Sequence, residues 1–281
     1  MSRLSGDLVR RGLPTYVFGQ NVVYTEQTGS TNTELKRLAR WGAPEGLLYL
    51  TDEQLVGRGR LERSWHAPAE SSLLMSLLFR PAGLVAPAQA QRLTMLCALA
   101  LADAIELHTE LSPGLKWPND LIWRDGKKLA GILTELDIEG ETLNWVVVGL
   151  GLNVNVDFSR QTQVEPDRPG RPGSGGPPLA QLATSLSMIM GRDTGGLRLP
   201  ILQSFLFNVE QRYEALRRGK LPHHEWQERL VGIGQPVTVT LLNEGQRQEG
   251  ILAGVDENGA LLLAQADGST ISIFAGDVTL R

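Results

Sequence analysis

An α+β fold, with a mixed, mostly antiparallel sheet, packed helices and a small C-terminal barrel, is predicted by three observations. Residues 115–156 alternate strand-like apolar runs with turn signals at 118–120, 125–126 and 139–140, the pattern of a meander. Residues 88–110 are apolar almost all round, so a helix there belongs against a sheet. Residues 232–281 break into four or five short strands at 243–245, 256–259 and 267–268, which reads as an SH3-like β-barrel. The expected division is therefore a catalytic unit over 1–231 and a barrel over 232–281.

In chain order, "TGSTNTELKRLARWG" predicts a helix capped by Thr31, with Glu34 completing a capping box and Gly42 stopping it. "GLLYLTDEQ" predicts a strand running straight into "GRGRLERSW", residues 57–65, and "SSLLMSLLF" predicts the next strand. The meander follows the apolar helix. Residues 166–178, "PDRPGRPGSGGPP", hold five prolines and four glycines, too rich in both for regular structure. This reads as a mobile loop. Two or three helices then run to about residue 231, first on Leu179, Leu182, Leu186 and Ile189, then on Phe205, Val209, Tyr213 and Leu216.

Composition bounds the function. The 281 residues carry 27 Lys and Arg against 31 Asp and Glu, a net charge of -4, which gives no general attraction to nucleic acid. No apolar run approaches the roughly 18 residues of a spanning helix, and the N-terminus has no h-region of a secretory signal. The single cysteine, Cys97, excludes an intramolecular disulfide and fits a cytoplasmic protein.

Against that acidic background Arg58, Arg60 and Arg63 cluster in one loop. Glycines beside arginines let the backbone approach a ligand, and guanidinium forks match phosphate or carboxylate oxygens. "KWPND", residues 116–120, sets Lys116 before a rigid turn, where a point charge can steady a developing anion and Asp120 is a candidate Mg²⁺ ligand. "GLGLN", residues 149–153, lacks the third glycine of a dinucleotide fingerprint. Its glycines instead let a planar group lie on the sheet, with Asn153 offering amide hydrogen bonds. His66, His108, His223 and His224 show no metal-ligand spacing, Cys97 reads as core, and neither a Walker A loop nor a "GxSxG" elbow occurs.

Taken in order, "GSTN", "EQLVGRGRLERSW", "LKWPNDL", "KKLAGIL" and "GLGLNV" resemble the biotin protein ligases, also called biotin-[acetyl-CoA-carboxylase] ligases. The terminal barrel resembles that family's C-terminal domain. The resemblance implies an enzyme that joins biotin to ATP as biotinyl-5′-AMP, with Mg²⁺, and passes the biotinyl group to a lysine of a biotin carboxyl carrier domain. It implies biotin contacts at Ser30, Thr31, Asn32, Gln54, Gly57, Arg58, Gly59, Arg60, Trp65 and Lys116, with Lys116 and Arg60 at the reacting oxygens. Nucleotide contacts are implied at Arg63, Lys128, Gly131 and Asn153. The arginine loop and the segment after Asn153 are expected to order over the adenylate. Two positions depart from the family loop: Leu61 where a second arginine is usual, and Glu62 where a glycine is usual. Few residues precede "TGSTN", so a ligase without an N-terminal DNA-binding domain is expected. A homodimer along a sheet edge is compatible with the fold. The competing readings are a lipoate or octanoate ligase of the same fold and, in a different class, a nucleic-acid-binding regulator.

Overall fold

The computed structural model describes residues 3–160, 178–241 and 246–280. A short helix α1 (Gly6–Arg10) leads into β1 (Val22–Thr28), α2 (Thr31–Arg40), β2 (Leu48–Gln54), β3 (Ser72–Phe79) and the long helix α3 (Gln91–Thr109). The meander is β4 (Gly114–Lys116), β5 (Asp120–Ile122), β6 (Lys128–Glu139) and β7 (Thr142–Asn153). Helices α4 (Leu179–Leu182), α5 (Leu186–Met190), α6 (Arg198–Arg217) and α7 (His223–Glu228) precede β8 (Pro236–Leu241), β9 (Arg247–Val255), β10 (Leu261–Ala264), β11 (Thr270–Ile273) and β12 (Gly276–Leu280).

The first sheet has the order β1-β2-β3-β7-β6-β5-β4. Only β1 and β2 run parallel, joined through α2 as a parallel pair requires; the other pairs are antiparallel. β3 is buried along its whole length, which reflects cover on both faces. Leu73, Met75, Leu77 and Phe79 enter the main core, which α3 and α6 share. Leu78 faces the other way, into a smaller core with Leu35 and Ala39 of α2, Tyr49, Trp145 and Val147. Beneath the sheet, Arg198 and Asp52 form a buried ion pair. Arg198 Nε also donates to the Ser72 carbonyl at 2.9 Å and Tyr24 donates to Asp52 at 2.6 Å, so β1, β2, β3 and α6 are tied at one point. Burial, then the Asp52 bond, pushes the Tyr24 phenol up to about 12.

Three details differ from the sequence reading. The cap of α2 is Ser30, with no side-chain bond. Thr31 cannot cap because its N–H and hydroxyl both donate to Gln54 Oε1, at 2.8 and 3.1 Å, and Glu34 turns to Arg37 rather than back to the cap. The periodic run from Leu179 to Ile189 is two short helices, because Ala183 leaves helical geometry to bridge Lys128, and Thr184 N–H donates to the Lys128 carbonyl at 2.9 Å. The Pro/Gly-rich stretch lies outside the described residues except for Pro178. The C-terminal strands form a five-stranded antiparallel sheet of order β11-β10-β9-β8-β12. Its edge strands β11 and β12 are not paired with each other among the described residues, so the expected barrel is not closed.

This second sheet is seated firmly on the first unit. Val237, Val239, Leu252, Leu261 and Val278 belong to the same core as α3 and α6. Trp117 Nε1 donates to the Gly259 carbonyl at 2.9 Å, and Arg92 of α3 donates to the Glu257 carbonyl and to Asn258.

Candidate functional site

The sequence "GRGRLERSW" closes on itself. Gly59 N–H donates to the Arg63 carbonyl at 2.6 Å, Trp65 N–H to the Gly57 carbonyl at 2.9 Å, and Arg58 bridges Ser64. What reads as a loop is therefore a small hairpin. Gly57 is required at its base, since a Cβ there would stand 2.2 Å from the Trp65 carbonyl oxygen. At its tip Leu61 takes φ 56, ψ 41, a left-handed conformation that costs an L-residue roughly 1–2 kcal/mol. The departure from the family loop at this position thus falls on a strained residue.

The hairpin roofs a pocket of about 750 Å³. Its walls are the N-terminus of α2, the end of β2, the β4–β5 turn, the starts of β6 and the end of β7, with Asp277 reaching in from β12. Ser30, Thr31, Asn32, Gln54, Arg58, Gly59, Arg60, Arg63, Trp65, Lys116, Asp120, Lys128, Gly131 and Asn153 all line it, and Gly57 lies just outside at the hairpin base.

Hydrogen bonding sorts these residues by what each has left to offer. Asn32 is fully engaged: its Nδ2 donates to the Leu133 carbonyl and to Glu135, while its Oδ1 accepts from Ser76. Gly149 makes room for it, since a Cβ there would lie 2.1 Å from Asn32 Oδ1. Asn153 Nδ2 similarly donates to the Thr184 carbonyl at 3.0 Å. Both asparagines act as struts between elements. Gln54 uses its Oε1 on Thr31, which leaves its Nε2 for a ligand carbonyl, and the Ser30 hydroxyl has no partner among the described residues.

The planar group that lies on Gly151 of β7, and on Gly131 of β6 beside it, is the chain's own Trp65. A Cβ on Gly151 would meet the indole at 2.6 Å and one on Gly131 would meet it at 3.3 Å. Lys128 Nζ stands 5.6 Å above the same ring and 2.7 Å from Asp120.

The cations fall into two classes. Arg58 reaches Thr33 at 3.1 Å and Glu135 at 3.2 Å. Arg60 donates to Asn119 Oδ1 and the Gly276 carbonyl, both at 3.2 Å, and pairs with Asp277 at 3.4 Å; Arg63 pairs with Asp277 at 2.8 Å. Burial pulls the Arg60 guanidinium below its ordinary value, opposed by Asp277 and Asp120; it remains charged at neutral pH because that ordinary value is so high. Lys116 lines the same pocket with no ion-pair partner among the described residues. A cation without a counter-charge, set among cations that have one, is arranged for an anion that arrives from outside.

Glu135 and Asp277 are absent from the sequence reading. Glu135 sits in a strand where alternating polar residues read as a solvated face, and Asp277 carries no local signal at all. Among the described residues no group of three His, Cys, Asp or Glu is placed to hold a metal. Cys97 is buried, which pushes its thiol up and leaves it inert.

Residues 24–153 match the Biotin/lipoate A/B protein ligase family, and residues 232–281 match the Biotin protein ligase C terminal domain. The chain is 34% identical over 280 residues to the bifunctional ligase/repressor BirA of Bacillus subtilis, covering 99% of this chain and 79% of that protein. It is 34% identical over 263 residues to the biotin--[acetyl-CoA-carboxylase] ligase of Mycobacterium tuberculosis, covering 90% and 86%. Among solved structures, the biotin protein ligase from Aquifex aeolicus in complex with biotin and ATP superposes with a TM-score of 0.66 at 26% identity, over 93% of this chain and 99% of that one.

Proposed function

Because the chain belongs to the biotin protein ligases, we propose a division of labour within its pocket for the reaction such an enzyme performs. The enzyme activates biotin with ATP as biotinyl-5′-AMP and then transfers the biotinyl group. In the first step a biotin carboxylate oxygen attacks the α-phosphorus and pyrophosphate leaves. Two anions must meet, so fixed cations are the main requirement. Lys116 lines the pocket where it can hold the reacting oxygens of both, and the observation that carries this role is that it has no counter-charge among the described residues. Arg60 is held over the same space by Asn119 and Gly276, and Arg63 faces the phosphates once Asp277 yields it. Ser30 and Gln54 offer the free hydroxyl and amide that a ureido head requires, whereas Asn32 positions them from behind.

Trp65, which the family resemblance sets against biotin, stacks with Lys128 over Gly131 and Gly151, and we assign both instead to the nucleotide side. In the second step the amine of an acceptor lysine attacks the anhydride carbonyl and AMP leaves, so no side chain forms a covalent intermediate. The acceptor is a biotin carboxyl carrier domain. Mg²⁺ would come with ATP, and Asp120, now paired with Lys128 at 2.7 Å, is the carboxylate that would help hold it once Lys128 releases it. Its chemistry there would be to neutralise phosphate charge. The division into a catalytic unit over 1–231 and a C-terminal unit over 232–281 is supported by the second family match beginning at 232. A cytoplasmic site is supported by the lone cysteine, and among the described residues no helix is long and apolar enough to cross a membrane.

The test is biotin-dependent exchange of labelled pyrophosphate into ATP with Mg²⁺, run with lipoate in parallel. Exchange with biotin alone is expected. Exchange with lipoate instead would keep the chemistry and change the substrate, and none with either would remove the adenylating role.

A further inference from the structure

The arginine hairpin has to be held against the pocket by something, and its backbone bonds hold it only to itself. Its first arm is fastened through Arg58, whose charged partner among the described residues is Glu135 of β6. The Glu135 carboxylate accepts from Asn32 Nδ2 at 2.8 Å, from Lys36 Nζ of α2, and from Arg58 Nη2, which lies 3.2 and 3.3 Å from its two oxygens. Arg58 Nη2 also reaches Thr33 at 3.1 Å. One half-buried carboxylate thus joins the hairpin to the strut Asn32, which itself bonds Ser76, and Ser76 bonds Thr31 at 2.8 Å.

We propose that Glu135 is a positioning residue for biotin: it latches the first arm of the arginine hairpin to the head-group end of the pocket, and so keeps the hairpin in the geometry that biotin binds. The proposal rests on the biotin-ligase reading of the pocket.

An exposed ion pair contributes little, because two long side chains must be immobilised in high dielectric. This pair differs on one side. Asn32 and Lys36 already fix Glu135, so its ordering is complete before Arg58 arrives, and 23% side-chain exposure leaves it partly shielded from water. Burial pushes the Glu135 carboxyl up, but the bonds from Lys36 and Asn32 and the charges of Lys36 and Arg58 outweigh it, and the group stays below its ordinary value. The latch is therefore charged throughout the neutral range. Loss of the negative charge leaves Lys36 and Arg58 facing each other as like charges, and Arg58, the more exposed at 41% against 19%, is the one that moves away.

Glu135→Gln tests this, since the amide oxygen can still accept from Asn32 while the charge is gone. In biotin-dependent pyrophosphate exchange the variant is expected to raise KM for biotin about tenfold, the effect of losing roughly 1.4 kcal/mol of binding, with kcat within about twofold. Arg58→Gln is expected to raise KM by a similar factor, and the double variant no further, because both remove one interaction. Multiplied effects, near a hundredfold, or an unchanged KM would overturn the latch. Glu135→Asp, which keeps the charge, is expected to recover part of the loss. Trypsin supplies a readout without substrate: cleavage after Arg58, Arg60 and Arg63 is expected to quicken in Glu135→Gln relative to sites elsewhere. Uniformly faster digestion would mean a folding effect and would overturn the positioning role; if the variant does not fold, Arg58→Gln alone decides the matter by the same digest. Absence of any exchange in the unaltered enzyme would sink the ligase reading, while the digest would still decide the latch.

Discussion

Lys116 and Arg60 line one pocket, yet their removal is expected to read differently. Among the described residues Lys116 has no partner to orphan, so Lys116→Ala is expected to lower the pyrophosphate exchange rate by about 10²–10³, the usual effect of deleting one preorganised donor, with Tm unchanged. An unchanged rate would take Lys116 out of the chemistry. Arg60→Ala is expected to lower the rate comparably and Tm as well, because its bonds to Asn119 and Gly276 go with it. Gly151 makes a third case. Gly151→Ala places a Cβ 2.6 Å from the Trp65 indole, and since backbone cannot give, the ring must lift. Weaker ATP binding with a shifted tryptophan emission is the expected result, and wild-type affinity would remove Trp65 from the nucleotide side. The glycines and the motif cations were legible as short-range patterns. The partners that organise them were not, because Glu135 and Asp277 meet the arginines only through the fold.

At the level of elements, periodicity identified what local burial dictates. The double-faced apolar run of β3, the amphipathic face of α2 and the turns of the meander each follow from side chains a few residues apart. The break after α4 does not, since Ala183 and Thr184 leave the helix for a strand, β6, far away in sequence. Nor did the hairpin of residues 57–65, whose Gly and Arg content reads as open loop. Between α6 and α7 a charge network has a pH signature. Hydrogen bonds from Lys220 and, against burial, from Arg212 hold the Glu225 carboxyl at about 2, below its ordinary 4.5. A depressed folded-state value means that this group stabilises the fold above pH 4.5 and loses that contribution as pH falls toward 2. Tm is therefore expected to fall over that window, and Glu225→Gln to flatten part of the fall. An identical pH profile for the variant would place the acid sensitivity elsewhere.

Across the whole molecule, the two sheets were predicted as separate units, and the sequence does change character near residue 232. The core does not change there: Val237, Leu252 and Leu261 pack in one cluster with α3 and α6. Thermal unfolding is accordingly expected as a single calorimetric transition, and two resolved transitions would show the units to be independent. Removal of residues 232–281 would expose that apolar face and release Trp117 from Gly259, so the shortened chain is expected to aggregate rather than fold. The contact at Gly259 reaches further. A Cβ there would stand 2.4 Å from Gln91 and 3.3 Å from Met95, and the Trp117 indole that it anchors is the neighbour of Lys116. The terminal unit is thus a fitted part rather than an interchangeable cassette. Grafting a relative's C-terminal segment onto this body would carry over a surface cut for a different seat, and such a hybrid would regain its catalytic lysine geometry only if Gln91, Met95 and Trp117 were exchanged together with the graft.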